Sequence, residues 1–179
     1  MQYGYIKVAA AIPAVKVADC HFNAEQTEQQ IRLANEQGAE IVVFPELGIT
    51  GYTCQDLFTQ QLLIEQAEQA VGSLLEKTQT LDIIAVVGVP VAVDSILLNC
   101  AVIFQRGLIL GIVPKTYLPN YSEFYEKRWF ASTHHLNDTS ILYAGQQTLL
   151  TAQSQIFVTA DGVKFGVEIC EDVWAPNPP

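Results

Sequence analysis

Basic residues are scarce in this chain. Its 9 Lys and Arg face 19 Asp and Glu, a formal net charge of −10. So acidic a chain is a poor match for nucleic acid or an anionic membrane, both of which are gripped through basic patches. Long apolar runs are missing too. The longest, around residues 83–93, is strand-like and falls short of the roughly 18 apolar residues a membrane span needs. The N-terminus lacks the layout of a secretion signal: Lys7 is its single basic residue, and its apolar run ends at Pro13. Cysteine is sparse and scattered, at 20, 54, 100 and 170. No pair has CxxC spacing and no Cys/His cluster suggests zinc. Free thiols in a cytoplasmic protein are expected, with Cys20, Cys54 and Cys100 as packing residues. Internal repeats and low-complexity segments are absent.

What is present suits a single packed domain. Half of the 179 residues are hydrophobic and only 16% are charged, enough apolar material for a substantial core. Residues 7–15 read as a buried strand. Residues 23–37 have helical spacing, with Thr27, Ile31 and Ala34 on one face and Gly38 as the stop. Residues 39–46 form a strand broken by a proline. Residues 57–80 read as a second helix, with Leu62, Ala67, Ala70, Leu74 and Leu75 as core positions. Residues 83–93 are a hydrophobic strand, and 99–115 are two strands around a turn at Arg106-Gly107. Residues 118–130 are loop and short helix, and 132–138 an exposed loop. Residues 156–170 are a strand pair with a turn at Asp161-Gly162, running into Cys170. The sum is an α/β fold with a mixed sheet. The proline-rich EDVWAPNPP (171–179) is an unusual place for a domain to stop, so a fragment of a longer domain is expected.

Three strand ends carry chemistry. Glu46 follows an apolar run in FPE, at the carboxyl end of a strand, where open α/β sheets bind ligands. Apolar neighbours disfavour its charged form and suit it to general-base work; the plain alternative is a solvated loop carboxylate. Lys115 closes LILGIVPK and suits oxyanion stabilisation or tuning of a thiol; the plain alternative is a lysine snorkelling from the core edge. Cys170 ends GVEIC, where the following backbone N–H groups can stabilise an oxyanion; the alternative is a buried structural thiol. Base, cation and thiol are complementary, and one sheet edge can gather all three. Histidine is a poor substitute for the base: His21 precedes a helix, and His134-His135 sit in a polar loop.

FPELGITGY (44–52), PKTYLPNYSEFYEKRWF (114–130) and GVEICEDVW (166–174) resemble the three signature segments of the nitrilase (carbon–nitrogen hydrolase) superfamily. GYTCQDLF (51–58), YLPNYSEFYEKRWF and KVAAAIPAVKVADCHFN (7–23) are similar to one branch, the glutaminase domains of the glutamine-dependent NAD+ synthetases. The resemblance implies a four-layer αββα sandwich, incomplete at the C-terminus, with residues 1–179 as the N-terminal portion of the glutamine amidotransferase domain. It implies Glu46 as general base, Lys115 as oxyanion stabiliser and Cys170 as nucleophile. Glu123, eight residues after the lysine, matches the second glutamate of nitrilase relatives. Tyr121 and Phe124 are expected to line a glutamine pocket, with Tyr52 and Glu171 as weaker members. No cofactor or metal is expected for the hydrolytic step. ATP and Mg2+ are expected only in a synthetase domain absent from this sequence, which ammonia would reach through a tunnel. A homo-oligomer is implied. The rivals are a stand-alone amidase, nitrilase or carbamoylase, and a non-catalytic truncated domain that only associates with itself.

Overall fold

The computed structural model describes residues 4–179; residues 1–3, part of the segment read for a leader, lie outside the described residues. Helix α1 spans Cys20–Glu36. It starts three residues before the expected position because the Asp19 carboxylate caps it, accepting from the Phe22 N–H at 3.0 Å. Its buried face is Cys20, Asn23, Ala24, Thr27, Ile31 and Ala34, the three- and four-residue spacing of a helix laid on a core. Helix α2 covers Gln61–Thr78. The expected helix over 57–80 therefore splits, since Tyr52–Thr59 forms its own 3-10 segment and Gln60 is extended between the two. Leu63, not Leu62, faces the core, and Leu62 is exposed. No helix among the described residues is long and apolar enough to cross a membrane.

A seven-stranded sheet supports both helices. Its strands are β1 (Val8–Ala10), β2 (Ile41–Val43), β3 (Ile84–Val93), β4 (Ile96–Gln105), β5 (Leu108–Pro114), β6 (Thr139–Tyr143) and β7 (Gln146–Leu150). Their order is β1-β2-β3-β4-β5-β7-β6. Pairs β1–β2, β2–β3 and β5–β7 are parallel, and the others are antiparallel. The β4–β5 hairpin turns at Arg106-Gly107, where both residues have positive φ, the backbone a tight two-residue hairpin demands. A further hairpin, β8 (Phe157–Val158) with β9 (Lys164–Phe165), pairs only two residues a side around the turn at 161–162.

The pleat sorts β3 and β4 between two clusters. Ala85, Val87, Val89, Val91, Cys100, Val102 and Phe104 join the helices in the main core. Ile84, Val86, Ala101 and Ile103 point the other way and meet Phe157 and Ile169 in a second cluster. Two-sided burial explains why these strands read as unbroken hydrophobic runs. Of the expected αββα order, the described residues supply a helical layer, its sheet and a two-stranded piece of a second sheet. The segment leading to Cys170 thus lies across the sheet face opposite the helices.

Candidate active site

Glu46 is placed by a corner that crosses β3 at close range. After β2, the Phe44 N–H is held by the Val86 carbonyl. The chain then reverses through Pro45 and Leu47, the latter at φ +52°. Gly48 N–H bonds the Pro45 carbonyl, and Ile49 N–H bonds the Gly88 carbonyl at 3.1 Å. Gly88 is what lets the corner sit there. A Cβ at that position would come within 2.3 Å of the Leu47 nitrogen and 2.7 Å of the Pro45 oxygen, both backbone atoms.

Lys115 follows β5 directly, its N–H donating to the Asn99 carbonyl at 2.8 Å. Its side chain is wholly buried. The ammonium Nζ lies 2.7 Å from Glu46 Oε1 and 2.9 Å from both oxygens of Glu126. Glu126 is itself buried and accepts from the Tyr52 hydroxyl at 2.7 Å. Glu46 Oε1 takes a second bond, from Asn99 Nδ2 at 2.6 Å. A lysine, two carboxylates, an amide and a phenol thus form one continuous network.

Glu123 does not join it. The chain bulges between Pro119 and Glu126, closed by the Glu126 N–H on the Pro119 carbonyl. That bulge carries Glu123 out to solvent and brings Glu126 back beneath Lys115. Glu123 instead borders a small recess with Tyr52, Phe124, Tyr125 and Trp129. The carboxylate partner of the lysine is Glu126, three residues beyond the expected position.

Cys170 is the exposed one of four free cysteines; Cys20, Cys54 and Cys100 are buried, as packing residues would be. It opens the 3-10 turn Cys170–Trp174 at φ +49°, after an extended Ile169. This left-handed backbone is costly for a residue other than glycine and recurs where a side chain must be presented sharply. Residues 166–169 lead into it without ladder pairing, so the cysteine follows an extended segment and not a strand proper. Asp172 fixes the turn. Its buried carboxylate accepts from the N–H of Thr116 at 3.2 Å and of Tyr117 at 2.8 Å, tying the cysteine turn to the chain just after Lys115. Glu46 and Cys170 both border a cavity of about 120 Å3 between the sheet and this segment, with Phe44, Gly88, Ala101 and Ile169.

The electrostatics follow from burial. Although Cys170 is exposed, partial desolvation of its sulfur raises the thiol, the Glu46 and Glu126 charges add to that rise, and Lys115 opposes it. The flanking Glu168, Glu171 and Asp172 are not the leading influences. A raised thiol rests protonated, so a nucleophile built on it needs a base at hand. Burial works against the Lys115 ammonium, but Glu46 and Glu126 outweigh it and the lysine is raised. Burial also raises Glu126, despite bonds from Tyr52 and Lys115. Tyr121 donates to Glu171 Oε2 at 2.8 Å and packs edge-on against Phe124, which packs in turn against Tyr52. The four expected pocket residues therefore form one patch beside Cys170. Among the described residues, no group of three His, Cys, Asp or Glu could hold a metal ion.

The carbon–nitrogen hydrolase family matches residues 7–179. The chain belongs to that family. As a carbon–nitrogen hydrolase it is 34% identical over 180 residues to a glutamine-dependent NAD+ synthetase of Mycobacterium tuberculosis, covering 99% of this chain and 26% of the relative. The human glutamine-dependent NAD+ synthetase is 33% identical over 168 residues, 90% of this chain and 24% of that protein. The chain thus spans about a quarter of the length of these relatives. A crystal structure of a glutamine-dependent NAD+ synthetase from Cytophaga hutchinsonii superposes with a TM-score of 0.83 at 28% identity, covering 93% of this chain and 28% of that one. An amidase from Nesterenkonia sp. AN1 superposes with a TM-score of 0.71 at 18% identity, covering 96% and 60%. At that identity the likeness shows the fold alone, which is nitrilase-like.

Asn99, Glu126 and Asp172 escaped the sequence reading. Each is a polar residue nine-tenths or more buried. Asn99 left a faint trace, as the one amide inside the apolar run ILLNCAVIF.

Proposed function

We propose that this chain hydrolyses the side-chain amide of glutamine to glutamate and ammonia, as the glutaminase of a glutamine-dependent NAD+ synthetase. The observation that carries the reading is the convergence on one sheet edge of the Cys170 thiol, the Glu46 carboxylate and the buried Lys115 ammonium. The 34% identity along 99% of the chain to NAD+ synthetases of that description supports the choice of substrate.

Glu46 takes the proton from Cys170 as sulfur attacks the amide carbon. The electron pair of the C=O moves onto oxygen, where Lys115 and the Glu171 N–H stabilise it; one such donor is typically worth about 10²–10³ in rate. The pair then returns, the C–N bond breaks, and Glu46 passes its proton to the leaving nitrogen. A glutamyl thioester remains. Water, deprotonated by Glu46, attacks it; glutamate leaves and the thiol is restored. Glu126, in place of Glu123, keeps the Lys115 ammonium charged and in line. Tyr121, Phe124, Tyr52 and Glu171 are proposed to hold the glutamine. The ammonia is proposed to pass to a synthetase partner that uses ATP and Mg2+ to complete NAD+ synthesis from nicotinate adenine dinucleotide, in a homo-oligomeric assembly. None of the proposed hydrolytic steps calls on a cofactor.

The test is ammonia and glutamate release from glutamine by the protein and by its Cys170→Ala variant. The expected result is turnover in the first and a loss of at least about 10⁴-fold in the second, as for removal of a covalent nucleophile. Ammonia release that survives Cys170→Ala would overturn the assignment. Preferential turnover of simple aliphatic amides over glutamine would favour a stand-alone amidase.

A further inference from the structure

Asn99 sits inside β4 with 1% exposure, and its amide is only half satisfied. Nδ2 donates to Glu46 Oε1 at 2.6 Å. Oδ1 is buried with no hydrogen-bond partner among the described residues. A buried orphan of this kind is rare and calls for a reason. Rotating the amide by half a turn would not cure it, because Oδ1 would then face the Glu46 carboxylate. The acceptor Oε1 of Glu46 therefore dictates which end of the amide points at it, and the orphan oxygen follows from that choice. A small hydroxyl or an aliphatic residue would have avoided the orphan but could not reach Glu46 with a rigid donor.

The second observation is where the donors land. Lys115 Nζ, at 2.7 Å, and Asn99 Nδ2 converge on the same oxygen, Oε1. The main-chain carbonyl of Asn99 also fixes the Lys115 N–H at 2.8 Å. One residue thereby registers both the base and the cation against β4. We propose that Asn99 is a positioning residue for the base: with Lys115 it pins Oε1 of Glu46, leaving Oε2 to take the proton from Cys170 and return it to the leaving nitrogen. Asn99 acts through Glu46 and does not itself touch the substrate.

This inference rests on the glutaminase reading above, and its test keeps the two apart. Steady-state glutamine hydrolysis is measured for the protein and for Asn99→Leu, Asn99→Ser, Glu46→Gln and Glu46→Gln/Asn99→Leu. A base that swings free loses part of the roughly 10²–10⁴-fold contribution of positioned proton transfer. The expected result is a kcat about 10- to 100-fold lower for Asn99→Leu and Asn99→Ser, with KM within about twofold, and no further loss when Asn99→Leu is added to Glu46→Gln. Asn99→Ser brings in neither an apolar branch nor a charge, so it carries the test if the leucine variant does not fold. The proposal is overturned by a kcat within about threefold of the parent, by a loss in KM alone, or by additive losses in the double variant. Failure of the underlying reading looks different: Cys170→Ala would remain active whatever Asn99 does.

Discussion

Lys115 has the least ordinary surroundings of any charged residue described here: wholly buried, it lies between two carboxylates. An isolated buried ammonium would give up its proton, yet this one is raised because Glu46 and Glu126 outweigh its burial. The lysine therefore stays cationic where the proposed mechanism places an oxyanion. The shift at Cys170 is also upward, but there the protonated form is the neutral one: desolvation and Glu46 raise the thiol and Lys115 alone pulls it down. These signs predict alkylation. Reaction of Cys170 with iodoacetamide, followed against pH, should have its midpoint above the ordinary thiol value, near 9.0. Glu46→Gln removes an anion and should move the midpoint down; Lys115→Met removes the cation and should move it up. Identical midpoints in all three proteins would mean that neither charge faces the thiol. At this scale Glu46, Lys115 and Cys170 were legible as candidates in the sequence, since each stands at the end of a mostly apolar segment. It misplaced the second glutamate, because the bulge between Pro119 and Glu126 is set by a backbone bond that residue spacing does not reveal.

The elements do the positioning. β2, β5 and the extended segment before Cys170 each deliver one residue; β4 holds the first two in register through Asn99, and Asp172 ties the third to the chain after β5. The tightest fit is the corner after β2, packed on Gly88. Alanine there would drive a methyl into the backbone of residues 45–47. Gly88→Ala should destabilise by about 1–3 kcal/mol or more, the range for overpacking a well-filled site. At about 2–4 °C per kcal/mol for a chain of this size, that is a melting temperature several degrees lower. Glutamine hydrolysis should fall further than stability does, because the displaced atoms carry Glu46. An unchanged melting temperature would show that the corner is looser than described. Helix α1 and strands β3, β4 and β5 were legible because their burial patterns are periodic or continuous. Hairpin β6–β7 was not. Its strands are five residues each with alternate side chains exposed, and its ladder pairing to the sheet is one parallel pair, Ile112 with Leu150, across nearly forty positions.

At the scale of the molecule, a seven-stranded mixed sheet carries two helices on one face and the cysteine segment on the other. The division is visible in β3, whose odd residues meet the helices while Ile84 and Val86 meet Phe157 and Ile169. The alternation cannot be read from the sequence, since both faces of the strand are apolar. Asp172 shows what holds the second face to the first: a buried carboxylate on two N–H groups next to Lys115. Burial raises that carboxyl, and the N–H groups of Tyr117 and Thr116, with the Lys115 charge among the lesser influences, work against the rise. The proposed route is covalent through Cys170, and the intermediate would be the most direct evidence for it. Glutamine is mixed with the protein, the reaction is quenched in acid, and the peptide containing Cys170 is examined by mass spectrometry. The account predicts a glutamyl thioester on that cysteine, present during turnover and absent from Cys170→Ala. Glutamine turnover with no acyl adduct, or an adduct on another residue, would contradict it.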